Sequence, residues 1–388
     1  MNPSTPRIAV IGGGLGGLLC ARVLQREGRP VTVFEREESA DARPHGATLE
    51  LRAATGRAAL LAAGLDDEFR AIACPGGRET RLLDRTGTLL HRELPDDGED
   101  EPAEIGRADL RRLLLDSLAP GTVRWGRYLS TLHPLGEGTH KAVFDGGHTE
   151  TFDLVIGADG AWSRVRPLLT DDTPHYSGVT FVEVGFDDVD ARHPAVARLV
   201  GDGSMLALSG AKGLIAHRDH RDGRDHIRAY IAFRGSQDWM LDRGVNVHDT
   251  EDMRAALLES FADWDSALLT LLRENDGGFL NQPLFALPVP HTWPHTPGLT
   301  LLGDAAHLMT PFSGKGADLA LLDGWELAAS LTRHADPEAA LRDYEATMLP
   351  RSAEAAGAAA RDLDNAIAAD AVAADAPHGT LRHLFRRR

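Results

Sequence analysis

An α/β fold, with an antiparallel-sheet domain inserted into it and a helical region behind it, is what the sequence predicts. Three observations carry this. Residues 7–36 read strand, glycine turn, helix, strand; residues 180–233 are short β-rich pieces cut by Gly and Asp; and helical periodicity resumes at Gly316 and runs, with one break, to about Ile367.

The first element is RIAVIGGGLGGLLCARVLQREGRPVTVFER. Ile8 to Ile11 form an apolar strand, Gly12, Gly14 and Gly17 make a G-x-G-x-x-G turn, a helix runs to about Glu27, and Val31 to Phe34 form a second strand closed by Glu35. The glycines let a dinucleotide pyrophosphate sit on the helix N-terminus, and the acid accepts from a ribose hydroxyl. A lone glycine motif is weak, but here strand, helix, second strand and terminal acid occur together at the expected spacing, which is a Rossmann-like pattern.

Its counterpart is TLLGDAAHLMTPFSGKGADLA, residues 300–320. Leu299, Leu301 and Leu302 read as a buried strand ending at Gly303-Asp304, and a helix begins near Gly316. Gly303, Gly314 and Gly316 remove side chains that would hold a ligand away, Asp304 offers a carboxylate to hydroxyls, and the helix points free N–H groups at negative charge. Taken alone, the stretch is equally an ordinary strand-turn-helix.

Between these lie weaker signals. Thr48 to Leu51 alternates and presents Glu50 on one face, a helix from about Ala53 ends at Gly64, and Asp84-x-x-Gly87 marks a hairpin within Arg81 to Leu90. Arg107 opens a helix running to about Leu118, where a cation opposes the dipole unless it serves an anion or a polar partner; a surface ion pair is the other reading. Phe152 to Ile156 is a strand leading to Asp159-Gly160, which also reads as a simple turn and cap. The loop HRDHRDGRDH, residues 217–226, raises metal binding, but Asp222-Gly223 favours a hairpin with its charges in solvent. Pro283, Pro288, Pro290, Pro294 and Pro297 mark an irregular crossing back to the 300–320 stretch.

The composition excludes several classes. With 58 acidic against 41 basic residues the net charge is −17, which disfavours nucleic acid as a partner. Cys20 and Cys74 form no C-x-x-C, so neither zinc nor a disulfide framework is expected, and Cys20 reads as core filler. No apolar run is long enough to span a bilayer, and no signal-peptide pattern opens the chain. A cytoplasmic monomer without metal or membrane partner is the expectation.

Three stretches in chain order, GGGLGG closed by Glu35, DLVIGADGAWSRVR and GDAAHLMTPFSGKG, resemble the FAD-dependent monooxygenases of the aromatic hydroxylase class (group A) over nearly the whole chain. Within that class VFERE, ARPHGATLEL and IGRADLR are most similar to the tetracycline-inactivating monooxygenases. The resemblance implies a Rossmann-like FAD-binding domain of the GR2/PHBH-like type in three parts, residues 1–72, 105–178 and 291–330. Substrate-domain segments 73–104 and 179–290 are inserted into it, and a C-terminal helical region, 331–388, follows. It links Arg43 to NADPH, and Glu50, Arg107 and Asp304 to FAD. Arg36, Asp159 and Pro311 join the glycines and Glu35 as candidate cofactor residues, and Pro311 with Phe312 would wall the substrate side of the flavin. The implied reaction has NADPH reduce non-covalent FAD, O2 add to it, and a flavin hydroperoxide pass one oxygen to a planar polycyclic or aromatic small molecule, a tetracycline or aromatic polyketide, with antibiotic inactivation as the role. A FAD-dependent reductase, or a flavin-binding module without activity, would share the same motifs.

Two positions depart from the resemblance. Glu50 replaces a shorter acid, and Lys315 stands where Gln is usual. Lysine occurs only at Lys141, Lys212 and Lys315, whereas arginine supplies nearly all other positive charge, so Lys315 between two glycines is a candidate charge beside the flavin. A solvent-facing lysine in a tight loop is the alternative.

Overall fold

In the computed structural model, residues 6–42, 48–75, 79–94, 103–221, 224–246 and 248–368 are described. The chain divides into two compact units: Met1–Gly76 with Pro102–His175 and Phe285–Ala360, and Gly77–Glu101 with Tyr176–Leu284 and Arg361–Arg388.

The first unit is built on a five-stranded parallel sheet. Strands β1 (Ile8–Ile11) and β2 (Val31–Phe34) flank helix α1 (Leu15–Arg26); helix α2 (Arg107–Asp116), strand β3 (Leu154–Gly157), strand β4 (Leu299–Leu301) and helix α3 (Gly316–Arg333) follow in the chain. The sheet order is β4, β3, β1, β2 and then the short strand Val123–Arg124. Registers Ile11↔Gly157 and Gly157↔Leu301 bring the C-terminal ends of three adjacent strands into line. β1, β3 and β4 are buried throughout, as strands covered on both faces must be. α1 ends as its sequence dictates: Gly28 takes φ +70° and Arg29 N–H donates to the Leu24 carbonyl at 2.9 Å. Two three-stranded antiparallel sheets complete this unit.

The second unit holds a seven-stranded sheet in which Ser204–Ser209 pairs in parallel with Thr80–Leu83, while the strands from His175–Phe186 through Lys212–Arg221 to Ser204–Ser209 pair antiparallel, as do Thr80–Leu83 and Leu89–Glu93. Val182, Val184 and Phe186 on one strand, with Ile227, Ala229 and Ile231 on the next, point into a core shared with Phe261, Trp264 and Leu272. Alternation then places Phe181, Glu183, Arg228 and Tyr230 on the other face.

Several expectations need correction. The proline-marked crossing is partly an edge strand, Leu280–Ala286, which accepts Pro283 because an edge position need not donate to a neighbour on both sides. Helices at Asp66–Ile72 and Pro194–Val200 gave no clear periodic signal, being only two turns long. The helix expected from Ala53 begins as a π-helical turn, Ala53–Arg57, before Ala58–Ala62. Around the His-rich loop the strands Lys212–Arg221 and Arg224–Arg234 pair to their ends, a hairpin whose tip, Asp222-Gly223, lies outside the described residues. His217 bonds Ser204 Oγ at 2.9 Å, His220 bonds Asp225 at 2.7 Å and His226 bonds Asp187 at 2.9 Å, and no metal-holding group occurs among the described residues. Burial holds the His217 imidazole down at about 4. No helix among the described residues is long and apolar enough to cross a membrane.

Candidate functional site

The glycine turn divides its three roles as their surroundings require. Gly12 has φ +109°, and a Cβ there would collide with the Ala158 carbonyl. A Cβ on Gly17 would collide with the Gly12 carbonyl, so α1 packs tightly onto its own strand. A Cβ on Gly14, by contrast, would meet no atom within 4 Å. Backbone N–H groups at the start of α1 therefore face open space where a polyanion can approach.

Gly13 between them is held at both of its polar groups. Its N–H donates to Glu35 Oε2 at 2.7 Å, and its carbonyl accepts from Arg111 Nε at 3.2 Å. Glu35 is 2% exposed, and its other oxygen accepts from Glu37 N–H at 3.1 Å. Arg36 beside it is exposed. Arg111 also donates to the Ala40 carbonyl at 2.8 Å and lies over the Trp125 ring at 5.5 Å. Sequence reasoning missed it, although an Arg between Leu110 and Leu114 on the buried stripe of α2 is an anomaly that marks a polar task. Arg107 sits half-buried at the first position of the same helix.

At the end of β3, Asp159 Oδ2 accepts from Arg164 N–H at 2.7 Å, while Oδ1 is buried with no partner among the described residues. Burial raises its pKa. Buried Arg166 donates to the Ala305 and Ala161 carbonyls at 3.1 and 2.7 Å, which ties this loop to the one after β4.

After β4, Gly303 adopts φ +60°, a left-handed turn that favours glycine, and Asp304 opens a short helix with its side chain exposed and unbonded among the described residues. The turn is held from beneath by Asp323, which accepts from Gly303 N–H at 3.0 Å, His307 Nε2 at 2.6 Å and Arg351 at 2.8 Å. Asp323 also escaped the sequence reading, since a single Asp inside a helical pattern gives no hint of burial.

Beyond it, Pro311 is exposed but Phe312 is 3% exposed, so Phe312 packs inward and Pro311 alone presents a surface. Gly314 has φ +61°, Lys315 caps α3, and a Cβ on Gly316 would meet nothing within 4 Å. Asp318, in the first turn of α3, accepts from Gly56 N–H at 2.8 Å, Arg52 N–H at 3.2 Å and the Thr55 hydroxyl, and pairs with Arg52 at 3.6 Å. It thereby anchors the π-helical turn. Glu50 is half-buried on the strand Thr48–Leu51, opposite Glu104. Arg43 lies outside the described residues.

Gly12, Gly14, Gly17, Asp159, Gly303 and Asp304 thus meet at the C-terminal ends of adjacent parallel strands, with Gly316 at the start of the helix packed on α1. That edge is where open α/β sheets receive nucleotides. The two open glycines, the unpartnered buried oxygen of Asp159 and the free Asp304 carboxylate are donors and acceptors of the kind a dinucleotide satisfies, so the residues present fit one.

A family model described as "FAD binding domain" matches residues 5–236 and 294–359. The chain is 34% identical over 357 residues to 3-amino-4-hydroxybenzoate 2-monooxygenase PtnB3 of Streptomyces platensis, covering 90% of this chain and 85% of that protein. It is 30% identical over 374 residues to Monooxygenase penA of Penicillium thymicola, covering 84% of each. Among solved structures, tetracycline destructase Tet(55) superposes with a TM-score of 0.74 at 22% identity, covering all of this chain and 98% of that one, a likeness of fold.

Proposed function

The chain belongs to the FAD binding domain family and is a FAD-dependent monooxygenase of the aromatic hydroxylase class, and on that premise we propose that it oxygenates a planar aromatic or polycyclic, hydroxyl-bearing small molecule at the expense of NADPH. The observation that carries the cofactor reading is the convergence of Gly14, Asp159 and Asp304, each open or unpartnered, on one edge of the parallel sheet. When bound, FAD supplies the redox chemistry by which NADPH and O2 yield one oxygen in the product and one in water.

The chain's own part is binding, orientation and exclusion of water. The N-terminus of α1 receives the pyrophosphate, Glu35 a ribose hydroxyl, with Arg36 beside it, and Asp304 a hydroxyl or water of the ribityl region. Arg107 and Glu50 hold the cofactor from the α2 side, Arg43 serves NADPH, and Pro311, Gly314 and Gly316 leave room for the ring. In this reading residues 1–72, 105–178 and 291–330 are the FAD-binding domain, and 73–104 with 179–290 carry the substrate surface.

The polar face of the second unit's sheet supports a hydroxylated substrate. Glu183 pairs with Arg228 and accepts from Gln282 at 2.8 Å, and the ring of Tyr230, opposite Glu183, lies tilted against Phe181 with centroids 5.5 Å apart. Tetracyclines, aromatic polyketides and aminohydroxybenzoates are the compounds to try, and a tetracycline product would imply antibiotic inactivation. The purified protein should be yellow, release FAD on heating, and consume NADPH faster with a true substrate. Mass spectrometry under 18O2 should show one labelled oxygen in the product; NADPH oxidation with no oxygenated product from any of these would overturn the substrate reading. Asp304→Ala should weaken FAD binding by about 1 to 3 kcal/mol, the scale of a charge-assisted hydrogen bond, and an unchanged affinity would remove Asp304 from the site.

A further inference from the structure

We propose that the Lys315 ammonium, placed at the N-terminus of α3, holds the negative charge of the reduced isoalloxazine ring and so sets the flavin's redox potential; this rests on the FAD reading above. Lys315 is the N-cap of an 18-residue helix, half-buried, and its ammonium makes no hydrogen bond or ion pair among the described residues. A cation at that end is opposed by the helix dipole unless an anion joins it. The carboxylate in the first turn, Asp318, is occupied by Thr55, Gly56 and Arg52, whose guanidinium lies 3.8 Å from where a Gly314 Cβ would be.

The other lysines have ordinary places. Lys212 is bound by the Ser260 carbonyl, faces Asp263 at 3.5 Å and lies over Phe261, and Lys141 is exposed on the strand Thr139–Phe144. Lys315 alone stands at a helix start between two glycines, and the space around Gly316 is open.

A dinucleotide flavin bears negative charge in two places. The pyrophosphate is always charged; the ring becomes so only when it takes two electrons and one proton, which leaves one net negative charge. The fold provides two matching poles. α1 and α3 cross where a Cβ on Gly16 would collide with the Ala320 carbonyl, and one on Gly324 would lie 2.5 Å from the Gly16 carbonyl. This crossing falls at the first turn of α1 and about one to two turns into α3, so both positive ends open toward the same strand ends. The glycine fingerprint on α1 takes the pyrophosphate. The second pole is left for the ring, and an ammonium, a compact point charge, strengthens it most when the ring is reduced.

The test uses the FAD-loaded protein with Lys315→Gln and Lys315→Arg. Midpoint potential is measured by dye equilibration, FAD affinity by fluorescence, and sulfite affinity by loss of flavin absorbance, since sulfite adds to the oxidised ring and leaves the same negative charge on it. Lys315→Gln should keep its FAD but lose about tenfold of its preference for the reduced over the oxidised form, a fall of about 30 mV for a two-electron couple. Sulfite should bind it about tenfold more weakly, and Lys315→Arg should recover part of both. Unchanged potential and sulfite affinity would overturn the proposal. Loss of FAD from Lys315→Gln in both redox states would overturn it as well, because the ammonium would then serve the pyrophosphate. A wild-type protein that rejects FAD would instead sink the cofactor reading itself.

Discussion

Gly13 has no side chain, yet its peptide groups are the most firmly held in the glycine turn, gripped by Glu35 on one side and Arg111 on the other. Arg111 reaches three acceptors and the Trp125 face with one planar fork, which a lysine cannot do. Arg111→Lys should therefore behave much like Arg111→Ala: each leaves buried carbonyls short of donors, at about 1 to 3 kcal/mol apiece, and frees the turn. Both variants should bind FAD at least about tenfold more weakly and melt earlier. Full FAD affinity in Arg111→Lys would show that charge alone, without the fork, positions the turn.

At the scale of elements, the contact of α1 with α3 is made by small residues. Ala in place of Gly324 should gain up to about 1 kcal/mol of helix propensity. Its methyl, however, would press on the Gly16 carbonyl at 2.5 Å and the Cys20 N–H at 3.1 Å, backbone atoms that cannot rotate away. Overpacking of this sort costs about 1 to 3 kcal/mol, so the clash wins and Gly324→Ala should be less stable by about 1 to 2 kcal/mol in denaturant titration. Because the crossing sets where both helices begin, its FAD affinity should fall too. A variant as stable as the parent would mean the helices can part without harm. Cys20 at this seam is fully buried, and burial pushes its thiol up to about 12, so it should resist alkylation until the protein unfolds.

For the molecule as a whole, pH acts on the buried group that joins the turn after β4 to α3 and to the helix Pro337–Ala366. For Asp323, burial opposes the charge, but His307 and Arg351 outweigh it and its pKa is lowered. For His307, burial again opposes the charge, and Asp323 reverses the balance so that its pKa is raised. The stability from Asp323 is thus present above the ordinary carboxylate range near 4 and lost as pH falls through its lower folded value. That from His307 is complete below about 6.5 and lost as pH rises through its higher folded value. Asp323→Asn should cost about 3 to 5 kcal/mol, the loss from breaking a buried pair, and the deficit should be larger at pH 5.5 than at pH 9. Chemical denaturation at the two values decides it; an equal deficit at both would mean that His307 does not change protonation between them.

The sequence by itself determined what depends on near neighbours. β1, α1 and β2, with the glycine turn between β1 and α1, all lie within one short stretch, where periodicity and φ preference act directly. It also carried the α/β class, because apolar strands with a glycine turn have few other ways to bury themselves. Only the tertiary structure decided which polar residues brace the site. Arg111 lies 98 residues from Gly13, and Asp318 lies 262 from Gly56, so nothing local distinguishes either from a surface charge on an amphipathic helix. The same holds for the parallel pairing of Ser204–Ser209 with Thr80–Leu83 and for the edge strand through Pro283, where the choice of neighbour, a long-range matter of which surfaces remain to be covered, overrides what the segment prefers alone.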